Sequence, residues 1–353
     1  MKTNDLIRKN YNSLDVAKFL CALSIISAHF ASEWGHFPIL IDYAFSIYII
    51  AVPFFFVCSG FLFSEKFFKL KNDKEKKMYF IKYERKIITI YLWWSLIYFL
   101  FVVVEWISNG TTLNEVLDYV HIALVFTTYP TIWYLPALGV GIALLYVLQK
   151  KLSVIKIFLL GLALYVIGAL GFSYSFVQDK VHFLSNVYHI YNMVFETSRN
   201  GLFNGLPFVA MGALISIYKQ KFKFTSFSLG LISFFSLIAI VCEAFILKTF
   251  FNNVGADTVF FLLPFEYFFM LFLITIKLPS SRVYLWLREL STMVFTSQRL
   301  FLTAIPGVIP GMVINSLYEN SYIGLLLVIG ITLLFSFLVI VGSKKYSFLK
   351  VLF

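Results

Sequence analysis

The sequence predicts an all-α protein, a polytopic transmembrane helical bundle of about ten spans with cytoplasmic N- and C-termini. Three observations support this prediction. Of the 353 residues, 60% are hydrophobic, only 13% are charged, and the apolar residues fall into long runs. Soluble domains have about 25% charged residues. We therefore expect residues 1–353 to form one integral membrane domain in contact with the lipid bilayer.

The apolar runs predict the individual spans. A bilayer-spanning helix needs about 17–25 mostly apolar residues. Ten stretches of this kind follow one another along the chain: 13–32, 41–63, 87–107, 130–149, 153–172, 201–218, 226–247, 258–276, 291–311 and 322–342. Between the second and third spans, residues 64–86 are predicted to form a basic cytoplasmic loop. Residues 108–129 and 173–200 are the longest segments predicted on the external side.

The basic residues predict the orientation of these spans. Lysine and arginine favour the cytoplasmic side of membrane proteins. With the N-terminus inside, 23 of the 29 basic residues lie in the tails and in every second connection. This distribution also explains the net charge of +11. The positive charge is therefore interpreted as a signal that orients the spans in the membrane, and nucleic acid is excluded as a partner.

Two ionisable residues lie in the first apolar run, KFLCALSIISAHF. Ionisable residues inside a membrane usually mark function. On a helix, Lys18 and His29 are separated by about three turns and an angle of only about 20°. They therefore share one face, with Lys18 nearer the cytoplasm and His29 nearer the outside.

Several motifs occur in a characteristic order: SLDVAKFLCALSIISAHF, VPFFFVCSGFLF, FIKYERKIITIYLWW, TIWYLPAL and SRNGLFNGLPFVAMGALIS. Together they resemble the acyltransferase type 3 family, whose members include O-acetyltransferases of bacterial cell-surface polysaccharides. The first, second and sixth spans also resemble the membrane half of serine/alanine racemases from vancomycin-resistance clusters. The racemase domain itself has no counterpart in this sequence.

The resemblance implies a function in the bacterial cytoplasmic membrane. The chain is expected to move an acyl group, most simply acetyl from cytoplasmic acetyl-CoA, to a hydroxyl of an envelope glycan or lipid-linked saccharide. A non-catalytic exporter or flippase of a glycan intermediate is the alternative from another class. A membrane ligand-uptake or sensing module, as the racemase-like relatives suggest, is a third interpretation.

His29 is the expected catalytic residue. A neutral imidazole can take the proton of a sugar hydroxyl, or it can accept the acyl group itself. The sequence leaves both mechanisms open. Glu33 follows one turn later and is predicted to orient the ring or stabilise an imidazolium. The spacing of His29, Glu33 and His36 matches no zinc motif, so no metal site is predicted.

The cytoplasmic side is expected to bind the acyl donor. The family's arginine is Lys18 here, which keeps the charge and loses bidentate geometry. Lys18 is predicted to stabilise a CoA pyrophosphate or the thioester oxygen, and Asp15 is placed to pair with it. Lys82 and Arg85, spaced i and i+3, form a second candidate site for CoA phosphates. Orientation and lipid contact are the alternative interpretation of these two residues.

The external side supplies candidate acceptor-binding residues. Trp133 and Tyr134 begin the fourth span and are predicted either to anchor it at the interface or to stack on a sugar ring. Arg199, with Asn204 nearby, is predicted to bind a phosphate or carboxylate of the acceptor, or to pair with Glu196. A late-span histidine of the family is replaced in the stretch Ser297, Gln298 and Arg299. In the second span, Pro53 is expected to kink or break the helix, and Gly60 to allow close helix approach.

Overall fold

The computed structural model describes residues 11–35, 37, 46–221, 223–251, 257–306 and 321–353. These residues form twelve α-helices joined by short 3₁₀ and π segments, with no strand among them. The helices are α1 (Asn12–Glu33), α2 (Ala51–Phe67), α3 (Asp73–Asn109), α4 (Leu113–Val125), α5 (Tyr134–Leu148), α6 (Val154–Leu170), α7 (His182–Phe195), α8 (Leu206–Tyr218), α9 (Ser226–Phe251), α10 (Leu262–Thr275), α11 (Val283–Arg299) and α12 (Ser321–Gly342). The all-helical prediction is confirmed for the described part of the chain.

Seven helical stretches of the described residues are long and apolar enough to cross a membrane. They are Asn12–Glu33, Tyr48–Phe67, Asp73–Asn109, Leu113–Leu148, Gly201–Lys221, Ser226–Phe251 and Ser321–Gly342. Two shorter helices, Val154–Leu170 and Leu262–Thr275, are also apolar. A helix covers most of every predicted span, but ten crossings and cytoplasmic termini stay predictions. Parts of the predicted spans 41–63 and 291–311 lie outside the described residues.

The predicted basic loop over 64–86 is helical for most of its length. Helix α2 runs to Phe67, and the 37-residue α3 already begins at Asp73. The Asn72 side chain accepts a hydrogen bond of 2.8 Å from the backbone N–H of Glu75, which caps this start. A helix of this length spans about 55 Å, well beyond a hydrocarbon core of about 30 Å. The basic residues from Lys74 to Lys86 therefore lie on an extension of α3 past its apolar part.

Helices α2 and α8 pack together at the centre of the bundle, and a glycine makes their approach possible. A Cβ atom at Gly60 would overlap the backbone of Val209. The predicted role of Gly60 in close packing is therefore confirmed. Phenylalanine fills the surrounding core: Phe54, Phe56 and Phe208 are among the largest fully buried side chains.

Of the two effects predicted for Pro53, the structure shows no kink within a continuous α-helix. Pro53 lies in the first turn of α2, directly after the 3₁₀ turn Ser46–Ile50, where the predicted span changes from 3₁₀ to α-helix. A proline is tolerated there because first-turn N–H groups have no partner within the helix. Of the three cysteines, Cys21 and Cys58 are buried, whereas Cys242 is exposed on α9.

The two long connections predicted on the external side each contain a helix. Helix α4 begins at a capping box between Thr112 and Glu115 and has no buried residue. Helix α7 buries only Tyr188. The two helices contact each other. Both are amphipathic and lie beside the bundle. Residues near the end of α1 and the beginnings of α2 and α5 line a cavity within the bundle.

Candidate functional site

A cavity of about 130 Å³ lies where α1 ends and α2 begins. Four of the residues predicted from sequence line it: His29, Trp133, Arg199 and Asn204. Four polar residues that the sequence analysis did not assign to a site also line it: Tyr48, Thr131, Asp257 and Arg299. The cavity therefore collects polar and charged groups from six separate parts of a mostly apolar chain.

His29 reaches the cavity from the last turns of α1. Its Nδ1 atom lies 3.0 Å from Nη2 of Arg299. A guanidinium group only donates hydrogen bonds, so Nδ1 must be the acceptor. In a neutral imidazole the hydrogen then sits on Nε2. The arrangement leaves His29 with a donor at Nε2 and with its only lone pair engaged by Arg299.

Arg299 is the centre of this cluster. It is the last residue of α11, and its side chain is 12% exposed. Nε donates a 2.6 Å hydrogen bond to Oγ1 of Thr131, and Nη1 is bound to the carboxylate of Glu33. One guanidinium thus joins α1, the turn before α5 and the end of α11.

Glu33 therefore has a different neighbour from the one predicted. Its carboxylate is bonded to Arg299, which stands between it and the imidazole of His29. Any influence of Glu33 on the ring is exerted through the position of that guanidinium. The sequence did not reveal this, because Glu33 and Arg299 are 266 positions apart.

Arg199 lies at the opposite wall of the cavity. Nη1 is 2.5 Å from Oδ2 of Asp257, and the hydroxyl of Tyr48 donates to Oδ1 of the same carboxylate at 2.9 Å. The guanidinium is also held over the rings of Phe172 and Trp133, at 4.9 and 5.6 Å from their centroids. The pairing of Arg199 with Glu196 that the sequence suggested is wrong, since the partner is Asp257.

A short π-helical segment, Gly201–Gly205, places Asn204 at the cavity. The side chain of Asn200 starts this segment by accepting hydrogen bonds from the N–H groups of Leu202 and Phe203, at 3.0 and 3.2 Å. A Cβ atom at Gly205 would lie 2.5 Å from the carbonyl oxygen of Ala137, so only glycine allows this approach to α5. Asn204 is 6% exposed, and its side chain makes no hydrogen bond to a described residue.

Trp133 and Tyr134 are neighbours in sequence with different surroundings. Trp133 lines the cavity, whereas Tyr134 is not among the lining residues. Tyr134 is 7% exposed, and its hydroxyl lies 3.1 Å from Oγ of Ser59. Its ring packs 4.8 Å from that of Phe56. The structure therefore does not bring Tyr134 to the cavity, but makes it part of the core between α2 and α5.

Lys18 belongs to a second cluster, near the start of α1. Its Nζ atom lies 3.6 Å from Oδ1 of Asp15, which confirms the proximity predicted for this pair. Asp15 also accepts two hydrogen bonds from Arg288, of 3.0 and 2.7 Å, in the bidentate geometry that favours arginine. Lys18 and His29 thus lie on one helix but in separate clusters.

The second site predicted to bind the donor phosphates takes no part in the contacts around Lys18. Lys82 and Arg85 are exposed on α3 and form no ion pair with a described residue. Lys86, one turn after Lys82, does interact electrostatically with Lys18 and Arg288. The sequence analysis assigned no role to Lys86 or Arg288. Their proximity to Lys18 depends on how α1, α3 and α11 pack together.

No group of three histidine, cysteine, aspartate or glutamate side chains able to hold a metal ion occurs within the described ranges. His36, which the sequence analysis weighed as a metal ligand, lies outside those ranges.

Comparison with known proteins gives the family context. The profile of a family described as "Acyltransferase domain" matches residues 11–342. Among curated proteins, an amino-acid racemase of Enterococcus faecalis is 29% identical over 221 residues, or 61% of this chain and 29% of that protein. A serine/alanine racemase of Enterococcus gallinarum is 29% identical over 264 residues, or 73% of this chain and 36% of that protein. The chain spans about a third of the length of these relatives. No solved structure matches it.

Proposed function

Because the chain belongs to the acyltransferase 3 family of multi-pass membrane proteins, we propose that it transfers an acetyl group from cytoplasmic acetyl-CoA to a hydroxyl of an envelope glycan or lipid-linked saccharide. The observation that carries the proposal is the cavity in which a histidine, two arginines, an asparagine and a tryptophan meet in a membrane bundle. Polar groups concentrated within an apolar bundle are the usual mark of a reaction or transport site.

In the proposed reaction, the acceptor's hydroxyl oxygen attacks the carbonyl carbon of the acetyl thioester. A C–O bond forms, the C–S bond breaks, and the CoA sulfur leaves as a thiolate that takes up a proton. The hydroxyl proton goes to His29, which acts as the base. His29 can instead carry the acetyl group between donor and acceptor. Both routes need a ring nitrogen with a free lone pair, so both require that Arg299 release Nδ1.

The remaining site residues have proposed roles in binding. Trp133 offers an aromatic face to a sugar ring, and Asn204 offers an amide to its hydroxyl groups. Arg199 binds an anionic group of the acceptor. At the other end of α1, Lys18 and the nearby Lys86 and Arg288 form a cationic cluster suited to the CoA phosphates. Lys82 and Arg85, on the same extension of α3, give the donor its first contact.

The experiment uses inverted membrane vesicles, which expose the predicted cytoplasmic face to added donor. Vesicles containing the chain and its host's envelope glycans receive acetyl-CoA labelled in the acetyl group, and label in the extracted glycan is counted. His29→Ala should lower the transfer about 10²–10⁴-fold, since this is the usual contribution of a general base. His182→Ala, which alters an exposed histidine on α7, should transfer normally.

Three results would contradict the proposal. In the first case, vesicles containing the unsubstituted chain label no more glycan than vesicles that lack the chain. In the second case, His29→Ala transfers as much label as His182→Ala. In the third case, glycan fails to reach the surface of intact His29→Ala cells, which would identify a flippase.

One observation favours a second candidate, a ligand-uptake module for amino acids. Curated relatives matched by this chain are named racemases, and the match covers only about a third of their length. In this case the cavity would hold a small zwitterion between the carboxylate of Asp257 and the guanidinium groups of Arg199 and Arg299. Uptake of labelled serine by intact cells, abolished by Asp257→Asn and with no glycan acetylation, would replace the first proposal with this one.

A further inference from the structure

The hydrogen bond between Arg299 and His29 leaves the proposed catalytic histidine in an inactive form. Nδ1 of His29 accepts from a cation that is itself held by Thr131 and Glu33. The other nitrogen, Nε2, carries the hydrogen of the neutral ring. A base or an acyl acceptor needs a lone pair, and this arrangement presents none to a substrate.

We infer that Arg299 is a positioning residue that holds His29 in this form, and that an anionic group entering the cavity between Arg199 and Arg299 draws the guanidinium away and frees Nδ1. The inference deepens the proposed function and rests on it for the identity of the acceptor. It predicts a hydroxyl compound that also carries a phosphate or a carboxylate. The charged group of the acceptor would then free Nδ1 of His29, which is the base that the acceptor's own hydroxyl requires.

The two arginines are held by different kinds of contact. Arg199 lies over the rings of Trp133 and Phe172 and is bonded to Asp257. Arg299 has a single carboxylate partner, Glu33, whose side chain is 26% exposed at the end of α1. Water at this partly exposed carboxylate weakens its attraction for Arg299. A desolvated anion beside two guanidinium groups therefore competes well for Arg299.

Charge balance explains why the anion is needed. Without it, Arg299 and Arg199 are neutralised by Glu33 and Asp257, and His29 is the only cavity group on α1 available to complete the hydrogen bonds of Arg299. An added anion supplies oxygen acceptors that a guanidinium prefers to an imidazole nitrogen. The cavity of about 130 Å³ has room for such a group, since one water needs only about 10–15 Å³ by this measure.

The test is chemical modification of the purified full-length chain in detergent. Diethyl pyrocarbonate carbethoxylates an imidazole nitrogen that has a free lone pair, and peptide mass spectrometry reads each histidine separately. His182 and His189, both exposed on α7, serve as internal references. The variants are Arg299→Met, which removes the donor at similar length, and Arg299→Lys, which keeps one. Arg282→Met, at an exposed arginine just before α11, is the matched control.

We expect His29 to react at least tenfold faster in Arg299→Met than in the unsubstituted chain, while Arg299→Lys and Arg282→Met stay slow. Because lysine and methionine side chains are similar in size, a difference in the modification rate of His29 between these two variants reports the hydrogen bond. It does not report a change in the reagent's access to His29. Equal rates for Arg299→Met and Arg299→Lys would overturn the role of Arg299. The measurement involves no acyl transfer, so it stands even where the proposed function fails.

The second part of the test adds an anion to the unsubstituted chain. Inorganic phosphate, or acetate as the carboxylate probe, should speed the modification of His29 several-fold without changing that of His182. The effect should vanish in Arg299→Met, where no guanidinium is left to move. The anion that acts at the lower concentration identifies the acceptor's charged group. If neither anion changes the rate, release by an anion is refuted.

Discussion

Nη2 of Arg299 lies 3.0 Å from Nδ1 of His29, although the two residues are 270 positions apart in sequence. The contact joins the last residue of α11 to the histidine that the motif in α1 singles out. Arg299 belongs to the stretch Ser297–Arg299, in which the resemblance to the family predicts that a late-span histidine is replaced. The predictions below concern the parts of the molecule that surround this pair.

The role of Lys18 can be tested by replacing it with arginine, the residue that the resemblance to the family implies at this position. Lys18→Ala should lower acetyl transfer about 10–100-fold, because a charge-assisted contact contributes about 1.5–3 kcal/mol and each tenfold corresponds to about 1.4 kcal/mol. Lys18→Arg should be much milder, since it keeps the positive charge beside Asp15. The measurement is label transfer in vesicles at several acetyl-CoA concentrations. Equal loss in both variants would argue against a charge-based role.

Lys82 and Arg85 are expected to act on the donor. Neutralising both should raise the acetyl-CoA concentration at half-maximal rate by about tenfold or more, because two phosphate contacts are lost. Protein level and insertion should not change. The matched control replaces Lys74 and Lys77, two exposed lysines earlier on the same helix. A double variant that inserts poorly but needs no extra donor would assign the pair to membrane orientation instead.

The predicted topology can be tested with reporter tags. Tags at residues 75, 150, 220 and 283 should report the cytoplasm, because basic residues cluster at each of these connections. A tag at residue 185, in α7, should report the outside. Opposite results at any two sites would refute the ten-span arrangement, and with it the location of the donor site.

The contact between α2 and α8 predicts a destabilising substitution. Gly60→Ala should lower the free energy of unfolding by about 1–3 kcal/mol, since its new methyl group overlaps the backbone of Val209. Gly330→Ala on α12 is the control, because a Cβ there has no atom within 4 Å. Thermal unfolding in detergent, followed by tryptophan fluorescence, gives both midpoints. A similar midpoint for the two variants would contradict the tight α2–α8 packing.

Two glutamates, the buried Glu266 and the half-buried Glu243, are predicted to respond in opposite ways to the same substitution. Neither carboxyl oxygen of Glu266 on α10 has a hydrogen-bond partner among the described residues. Glu266→Met should therefore raise the unfolding midpoint, because an unsatisfied buried polar group costs about 1–3 kcal/mol. Glu243 accepts hydrogen bonds from the N–H groups of Phe260 and Phe261 at 2.8 and 2.9 Å.

Glu243→Met should therefore lower the midpoint, since it leaves these N–H groups at the start of α10 without their acceptor. The two variants are compared in one thermal unfolding experiment. A lower midpoint for Glu266→Met would show that its carboxyl stabilises the bundle.

The local pattern of the sequence was enough to predict the helical class and the family, and to select His29 as the candidate catalytic residue. Apolar runs predict helices because each run must satisfy its backbone groups internally in a bilayer. Lys18 and His29 are recognisable as a pair because helical geometry alone places them on one face. Gly60 is recognisable as a packing position because it lies within an apolar span. Each of these inferences depends on residues within about three helical turns of one another.

The tertiary structure decided which charged residues meet. Glu33 binds Arg299, Arg199 binds Asp257, and Asp15 binds Arg288. These partners lie 266, 58 and 273 positions apart. No periodicity relates such residues, because their distance depends on how α1, α10 and α11 pack and on the turns that join them. For the same reason, the protonated nitrogen of His29 can be inferred only from the packing of α11 against α1, which brings Arg299 to Nδ1.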